Sequence, residues 1–407
     1  MNILFLSIGR LSNLSVHGIY TDLLREFRDN GHNVYVMCPT ERKEGKPTSF
    51  GVEEGINVLR VKIGNIKKCN IIEKGISTVL IEPQFKAAIK KYYSSVKFDL
   101  VMYSTPPITF ANVIDFVKKR DGAASYLILK DIFPQNAVDM GMFKKNSIIN
   151  KFFRRKEKKL YAISDKIGCM SKANVEYIIK HNPQVNPENV EVCPNSITVR
   201  QMNISEEQIL ATKQAYGIPT DKKIFVYGGN LGKPQGIDFF IKAIDAAASE
   251  IEDVFFLISG SGTEFSKIER YINQTDKTNI KLMRSIPREE YEAMIAGCDV
   301  GMIFLDNRFT IPNFPSRLIS YLQTSLPVLA VTDVNSDIGT VATEGNFGWW
   351  CQSNDVEQFV KTVKEILSAD TKAMGKIGYE YLCNNYTSKI SYDIIMSHFT
   401  QKQTVTK

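Results

Sequence analysis

Residues 225–236 read FVYGGNLGKPQG, an apolar run that ends in a turn with glycines at 228, 229, 232 and 236 and one lysine, Lys233. The helical pattern IDFFIKAIDAAAS follows at 237–249. A strand, a glycine-rich turn and a helix in that order begin a parallel α/β wind, and such a turn presents backbone N–H groups and a helix start to an anion. The two familiar phosphate loops do not fit. A Walker A loop needs glycine where Tyr227 stands and Ser or Thr where Pro234 stands, and the dinucleotide fingerprint is spaced differently. A tight turn with no ligand and a turn over a phosphate that uses neither signature are both compatible with these residues.

The same unit recurs on both sides. Downstream lie the strand patterns DVFFLISG (253–260), NIKLMRSI (279–286), VGMIFLD (300–306) and LPVLAVT (326–332), with the helical pattern PREEYEAMIAGCD at 287–299. At the start, NILFLSI (2–8) leads into IYTDLLREFRDNGH (19–32), whose Ile19, Leu23, Leu24 and Phe27 fall at helical spacing before Gly31 ends it. NVYVMCP (33–39) is then the second strand, and further strands are expected at 55–63, 98–104, 124–130, 165–171 and 189–195. The polar stretch SITVRQMNIS follows, which puts an interdomain linker near 197–204. The expected fold class is therefore α/β: two Rossmann-like domains, 1–198 and 199–385, facing an interdomain cleft. The last segment, 386–407, is expected to pack back on the first half. In such winds the ligand lies at the C-terminal ends of the strands, so the loops after strands carry the function.

A length of 407 residues suffices for two domains with a core each. With 43% hydrophobic and 23% charged residues the chain is neither disordered nor fibrous. Its seven cysteines are scattered and form no C-x-x-C pair, which argues against a disulfide framework and a zinc site and for a reducing cytoplasm. The first apolar run has no basic region before it and no window reaches about 18 uninterrupted apolar residues, so a strand is expected there and not a signal peptide.

The net charge of +7 calls for an anionic partner. No zinc-finger, RNP or helix-turn-helix pattern supports nucleic acid. Segment 143–160, FKKNSIINKFFRRKEKKL, holds eight Lys/Arg against one Glu, with Ile148, Ile149, Phe152, Phe153 and Leu160 at spacings compatible with one helical face. Two readings fit: a surface helix with solvated lysines, or attachment to anionic lipid at the cytoplasmic membrane surface.

Among the loops, IGRLSNLSVHGIY after the first strand has His17 and Gly18 just before the helix, where His17 is a base or a capping and packing residue. In LKDIFPQNAVDMG (129–141), Asp131 stands at a strand's C-terminal end, able to accept a sugar hydroxyl or a proton, or to serve as an N-cap or ion-pair partner. At RSIPREE (284–290) a flat base can rest against Ile286 beside Arg284. In IPNFPSRLISYLQ (311–323), Ser316 and Arg317 open a helix, and an arginine fork there suits a diphosphate.

Five pieces in one order give the chain its resemblance to a family: HGIYTDLLREFRDNGHNVYVMCP, FDLVMYSTPP, LKDIFPQNAVDMG, KIGCMSKANVEYI with VEVCPN, and FVYGGNLGKPQGIDFFIKAI with the later IPNFPSRLISYLQTSLPVLA. Spanning about residues 1–360, they are similar to the family 4-type glycosyltransferases of GT-B architecture, in particular bacterial members of capsule and O-antigen assembly. The resemblance implies transfer of a sugar from a nucleotide donor, UDP and an amino sugar by subfamily likeness, held by the C-terminal domain. The acceptor, a saccharide or lipid-diphosphate-linked saccharide, lies on the N-terminal domain, and the anomeric configuration is retained without a metal or other cofactor.

Carried onto this chain, the resemblance matches Asp131 to the family's His or Asp position. Beside Asp131, the loops themselves offer His17, Lys233 and Arg317 as catalytic candidates, Gly18, Gly229, Asn230 and Ser316 with Lys233 and Arg317 around the diphosphate, and Arg284, Ile286 and Ser320 around base and ribose. The chain departs from the pattern at two places. The family's Arg and Lys in the glycine turn are replaced by Asn230 and Gln235, and its two glutamates by Pro312 and Ser320. Ser316 and Arg317 taking over the diphosphate contacts is one explanation, and loss of activity is the other. A nucleotide-sugar 2-epimerase and a non-catalytic partner subunit are the alternatives of the same architecture.

Overall fold

The computed structural model describes residues 1–9, 11, 13–66 and 69–399, except the side chains of 71 and 72. The chain forms two compact units, Met1–Thr198 with Thr387–Lys407, and Val199–Tyr386. Among the described residues no helix is long and apolar enough to cross a membrane.

Unit 1 is built on eight strands: β1 (Asn2–Leu6), β2 (Asn33–Glu41), β3 (Ser49–Glu53), β4 (Ile56–Ile63), β5 (Leu100–Ser104), β6 (Ala124–Leu129), β7 (Lys166–Cys169) and β8 (Val190–Val192). Their order is β3-β4-β2-β1-β5-β6-β7-β8. All pairs are parallel except β3 with β4. The runs ILFL and LVMYS are buried at every position because helices cover both faces of the sheet. The sequence gives no sign of β3. SFGVE is largely exposed and owes its place to a two-residue turn in which Glu54 and Gly55 take φ of 50° and 71°, both in the left-handed region that such hairpin turns demand.

Unit 2 has six strands: β9 (Lys223–Asn230), β10 (Val254–Ser261), β11 (Ile280–Arg284), β12 (Val300–Phe304), β13 (Val328–Thr332) and β14 (Gly348–Gln352). The order β11-β10-β9-β12-β13-β14 is all parallel. It reverses direction between β9 and β12, so the glycine turn that ends β9 stands at the switch point where winds of this kind hold their ligands. A core of Phe225, Tyr227, Phe240, Phe256, Phe304 and Phe359 fixes β9 beneath that turn.

The C-terminal helix Ser388–Met396 belongs to unit 1 and packs on helix Ile19–Asp29. The Tyr392 ring meets Phe27 edge-on at 4.9 Å and its hydroxyl lies 3.0 Å from His32 Nε2. The basic segment forms helix Ile148–Ile163, capped by Ser147. Its apolar residues do not share one fate. Leu160 is buried and Phe153 packs on Phe133 at 5.0 Å, whereas Ile148, Ile149 and Phe152 are exposed.

Candidate functional site

In unit 2 the glycine turn is shaped by what lies under it. Gly229 takes φ of 122°, which disfavours any side chain, and a Cβ on Gly228 would stand 1.7 Å from the Tyr291 hydroxyl. The Gly228 N–H donates to Tyr321 Oη at 3.0 Å, and that hydroxyl lies 3.3 and 3.2 Å from the carbonyls of Val226 and Met302, with one proton to give. Burial pushes the Tyr321 phenol up to about 12, so it stays a neutral donor. This network holds the turn's backbone against the core and leaves its upper side open.

Arg317 comes to the same place from the loop after β12. Its guanidinium donates to the Gly228 carbonyl at 3.1 Å and lies 4.3 Å over the Tyr227 ring, next to the Gly229 backbone. Tyr321, one helical turn further along helix Arg317–Gln323, shares its face, so a single helix both braces the turn and brings the cation to it. Arg317 has no carboxylate within ion-pair distance among the described residues. A cation held by a ring and one carbonyl keeps most of its donors for an anion.

Of the other candidates of unit 2, Gly229 lies beside this cation, Ser316 and Ser320 flank it along its helix, and Asn230 and Lys233 belong to the turn that ends β9. Gly229, Asn230, Lys233, Ser316 and Ser320 are exposed. Ser316 starts the helix with no side-chain cap bond, and Pro312 is buried in the preceding loop. Asn230 and Gln235 hold each other: Gln235 Oε1 accepts from Asn230 Nδ2 at 3.1 Å and from the Gly232 N–H at 3.0 Å. Their side chains close the turn, which gives these two of the four departing residues a structural role.

Arg284 and Gly229 align with Gly260 in one row across β11, β10 and β9, about 10 Å apart at the usual strand spacing. Arg284 stacks over Phe265 at 4.4 Å and pairs with Glu269 at 3.5 Å, with Ile286 half-buried two residues on.

In unit 1 the loops after β1, β5 and β6 converge. His17 Nδ1 lies 3.2 Å from Asp22 Oδ1, which also accepts from the Gly18 N–H at 3.1 Å and from Arg25. The fully buried Asp22 takes a further bond from Thr198 N at 2.8 Å, so it orients the His17–Gly18 loop. Asp131 and Lys130 follow β6, with both backbone N–H groups donating to Thr105 Oγ1 at 3.2 and 3.0 Å. Helix Gln135–Asp139 is capped by Pro134, so Asp131 is not its N-cap.

Burial raises the Asp131 carboxyl, and the neighbouring Lys130 opposes that. Burial pulls the Lys130 ammonium down to about 8; it donates to Asn195 Oδ1 at 2.6 Å and lies 5.8 Å over the Tyr20 ring. Tyr20 begins the helix that His17 and Gly18 precede, so His17 and Asp131 border one neighbourhood of unit 1. Among the described residues no group of three or more His, Cys, Asp or Glu is arranged to hold a metal ion.

Sequence reasoning missed Asp22, Lys130, Tyr291 and Tyr321. Only Tyr321 had a signal, its i+4 spacing from Arg317 within an apolar helix. The others depend on contacts between loops distant in sequence.

Residues 19–201 match the model of Glycosyltransferase Family 4, and residues 208–381 match that of Glycosyl transferases group 1. The chain is 23% identical over 338 residues to "Probable glycosyltransferase WbjE" of Pseudomonas aeruginosa, covering 82% of this chain and 81% of that one. It is 22% identical over 278 residues to WcaI of Escherichia coli (strain K12), named for colanic acid biosynthesis, covering 67% of each. The structure of HepE from Anabaena in complex with UDP and glucose superimposes with a TM-score of 0.69 at 14% identity, over 98% of this chain and 99% of that one. With both halves matched in the family's order and the fold shared along its length, the chain belongs to the family 4-type glycosyltransferases, enzymes of the GT-B architecture.

Proposed function

We propose that the protein transfers a sugar, with retention of configuration, from a UDP-linked donor on unit 2 to a saccharide or lipid-diphosphate-linked saccharide on unit 1, in cell-surface polysaccharide synthesis. The observation that carries this is Arg317, held by Tyr227 and the Gly228 carbonyl without a carboxylate partner among the described residues, beside an open glycine turn at the switch point of the sheet. The chain's similarity to WcaI and HepE supports the polysaccharide setting and the UDP donor. An N-acetylated amino sugar is the preferred donor class.

In the step, the bond from the anomeric carbon to the donor's β-phosphate oxygen breaks and its electron pair leaves with UDP. The acceptor hydroxyl forms the new bond on the same face, and its proton passes to the departing phosphate. Charge growing on that phosphate is met by Arg317, Lys233 and the N–H groups of Gly229 and Asn230, with Ser316 beside them, a preorganised set that takes the role a divalent ion has elsewhere. Arg284, Ile286 and Ser320 border the base and ribose. His17, Gly18 and Asp131 receive acceptor and sugar hydroxyls, which asks for no strong base.

The protein works in the cytoplasm at the inner face of the cell membrane, held by Lys144, Lys145, Lys151, Arg155 and Lys158, which are exposed and make no ion pair among the described residues. Thermal shift against nucleoside diphosphates and UDP-sugars, followed by transfer assays, tests the whole reading. UDP is expected to raise Tm, and Arg317→Ala to abolish that rise. Conversion of the donor sugar without any acceptor would instead identify a 2-epimerase, and UDP binding without turnover on any acceptor a non-catalytic subunit.

A further inference from the structure

Helix Ile71–Tyr92 exposes apolar side chains where a water-facing helix carries polar ones. Ile76, Val79 and Leu80, at i, i+3 and i+4, are 58%, 64% and 45% exposed, while Ile81, Phe85 and Ile89 fill the core. Helix Ile148–Ile163 repeats the pattern with Ile148 at 87%, Ile149 at 55% and Phe152 at 47%. These six are nearly half of the fourteen large apolar side chains exposed among the described residues, and they gather on one face of unit 1. Between the two helices lies a groove of about 620 Å³, walled by Val79, Ile148, Ile149, Phe152 and Phe153 with Lys74 and Lys156 at its edge. Thr109 also lines it, only 8% exposed, and its hydroxyl has no hydrogen-bond partner among the described residues.

Two observations select the occupant. A contiguous exposed apolar face marks a surface that something covers, and the walls of this groove match hydrocarbon. The exposed charge around it is positive; Glu82, the one carboxylate among its lining residues, is 9% exposed, accepts from Asn112 Nδ2 at 2.7 Å and lies 4.0 Å from Lys156. Lys74, Lys144, Lys145, Lys151, Arg155 and Lys158 are exposed and make no ion pair among the described residues. The one carboxylate of the basic segment, Glu157, is turned inward onto Arg154 and Tyr161. Apolar residues framed by cations suit the boundary between headgroups and acyl chains of an anionic leaflet.

We propose that this groove takes a hydrocarbon chain of an anionic phospholipid, so that the two helices insert together while the lysines stay at the level of the phosphates. This rests on the surface attachment described under the proposed function and adds to it the second helix and the inserted chain.

The test uses the full chain carrying Phe152→Trp or Val79→Trp, mixed with phosphatidylcholine vesicles with or without phosphatidylglycerol, the acyl chains brominated. On the anionic vesicles both variants are expected to show emission shifted to the blue and quenched relative to wild type. Ile76→Ser/Val79→Ser/Ile148→Ser/Phe152→Ser, all at exposed positions, should keep its Tm and lose about tenfold or more of its vesicle affinity at raised salt. Salt-labile binding with no quenching and no loss in the fourfold variant overturns insertion and leaves attachment by charge standing. No binding even at low salt overturns both. Quenching at 152 but not at 79 overturns the two-helix groove, and an equal response on neutral vesicles overturns the anionic occupant.

Discussion

At the scale of residues, Arg317 and Gly228 carry the most weight. Arg317→Ala should lower kcat/KM by about 10²–10³-fold with the Tm of the unliganded protein little changed, because on the proposed function it removes a donor that both binds the diphosphate and meets the charge growing on it as the bond breaks. Lys233→Ala should behave likewise, and near-wild-type turnover in both would sink the assignment. Gly228→Ala should destabilise unit 2 by about 1–3 kcal/mol in denaturant unfolding, since its methyl must displace Tyr291. Tyr291→Phe, by removing the atom met first, should recover part of that loss, a non-additivity that a double-mutant cycle reads directly.

Lys130 makes a prediction in pH. Its ammonium falls from 10.5 to about 8 on folding, so between those values the unfolded chain binds more protons, and stability contributed by this group rises with pH across that window. Lys130→Met should lack that rise, so the difference between wild-type and variant stabilities from unfolding curves should carry it across the same window. Asn230 and Gln235 show how far sequence reaches at this scale. Their identities were readable as departures from a pattern, but that they bond to each other and close the turn follows from a fold that brings residues five apart face to face.

At the scale of elements, the strands that form the two sheets were legible wherever burial on both faces leaves a continuous apolar run, as in IFVY and VFFLIS. β3 was not, because an exposed edge strand is held by a turn and one neighbour and needs no such run. Helix Ile71–Tyr92 escaped for a different reason. With apolar residues on its solvent face as well as its core face, it has no amphipathic period to detect. The site's halves were legible as loops after strands, and the row from Gly229 through Gly260 to Arg284 was not, since it depends on the register of three parallel strands. One element can be tested alone: removing 387–407 uncovers Phe27 on helix Ile19–Asp29, and limited proteolysis should then cut unit 1 while sparing unit 2.

At the scale of the whole molecule, the two units differ in how the chain composes them. Unit 2 is one continuous segment with its own core, so residues 199–386 made as a separate protein should fold and show the UDP-dependent rise in Tm. Unit 1 is completed by a helix that arrives after all of unit 2 has been made. During synthesis at about 5–20 residues per second, its first segment therefore waits roughly 10–40 s for the piece that covers Phe27 and His32. Folding in the cell would run against the order of the code: the half written first is closed last. A ribosome that stops early releases an unfinished N-terminal half beside a finished C-terminal one, and on the proposed function such a fragment would hold the donor without ever delivering its sugar.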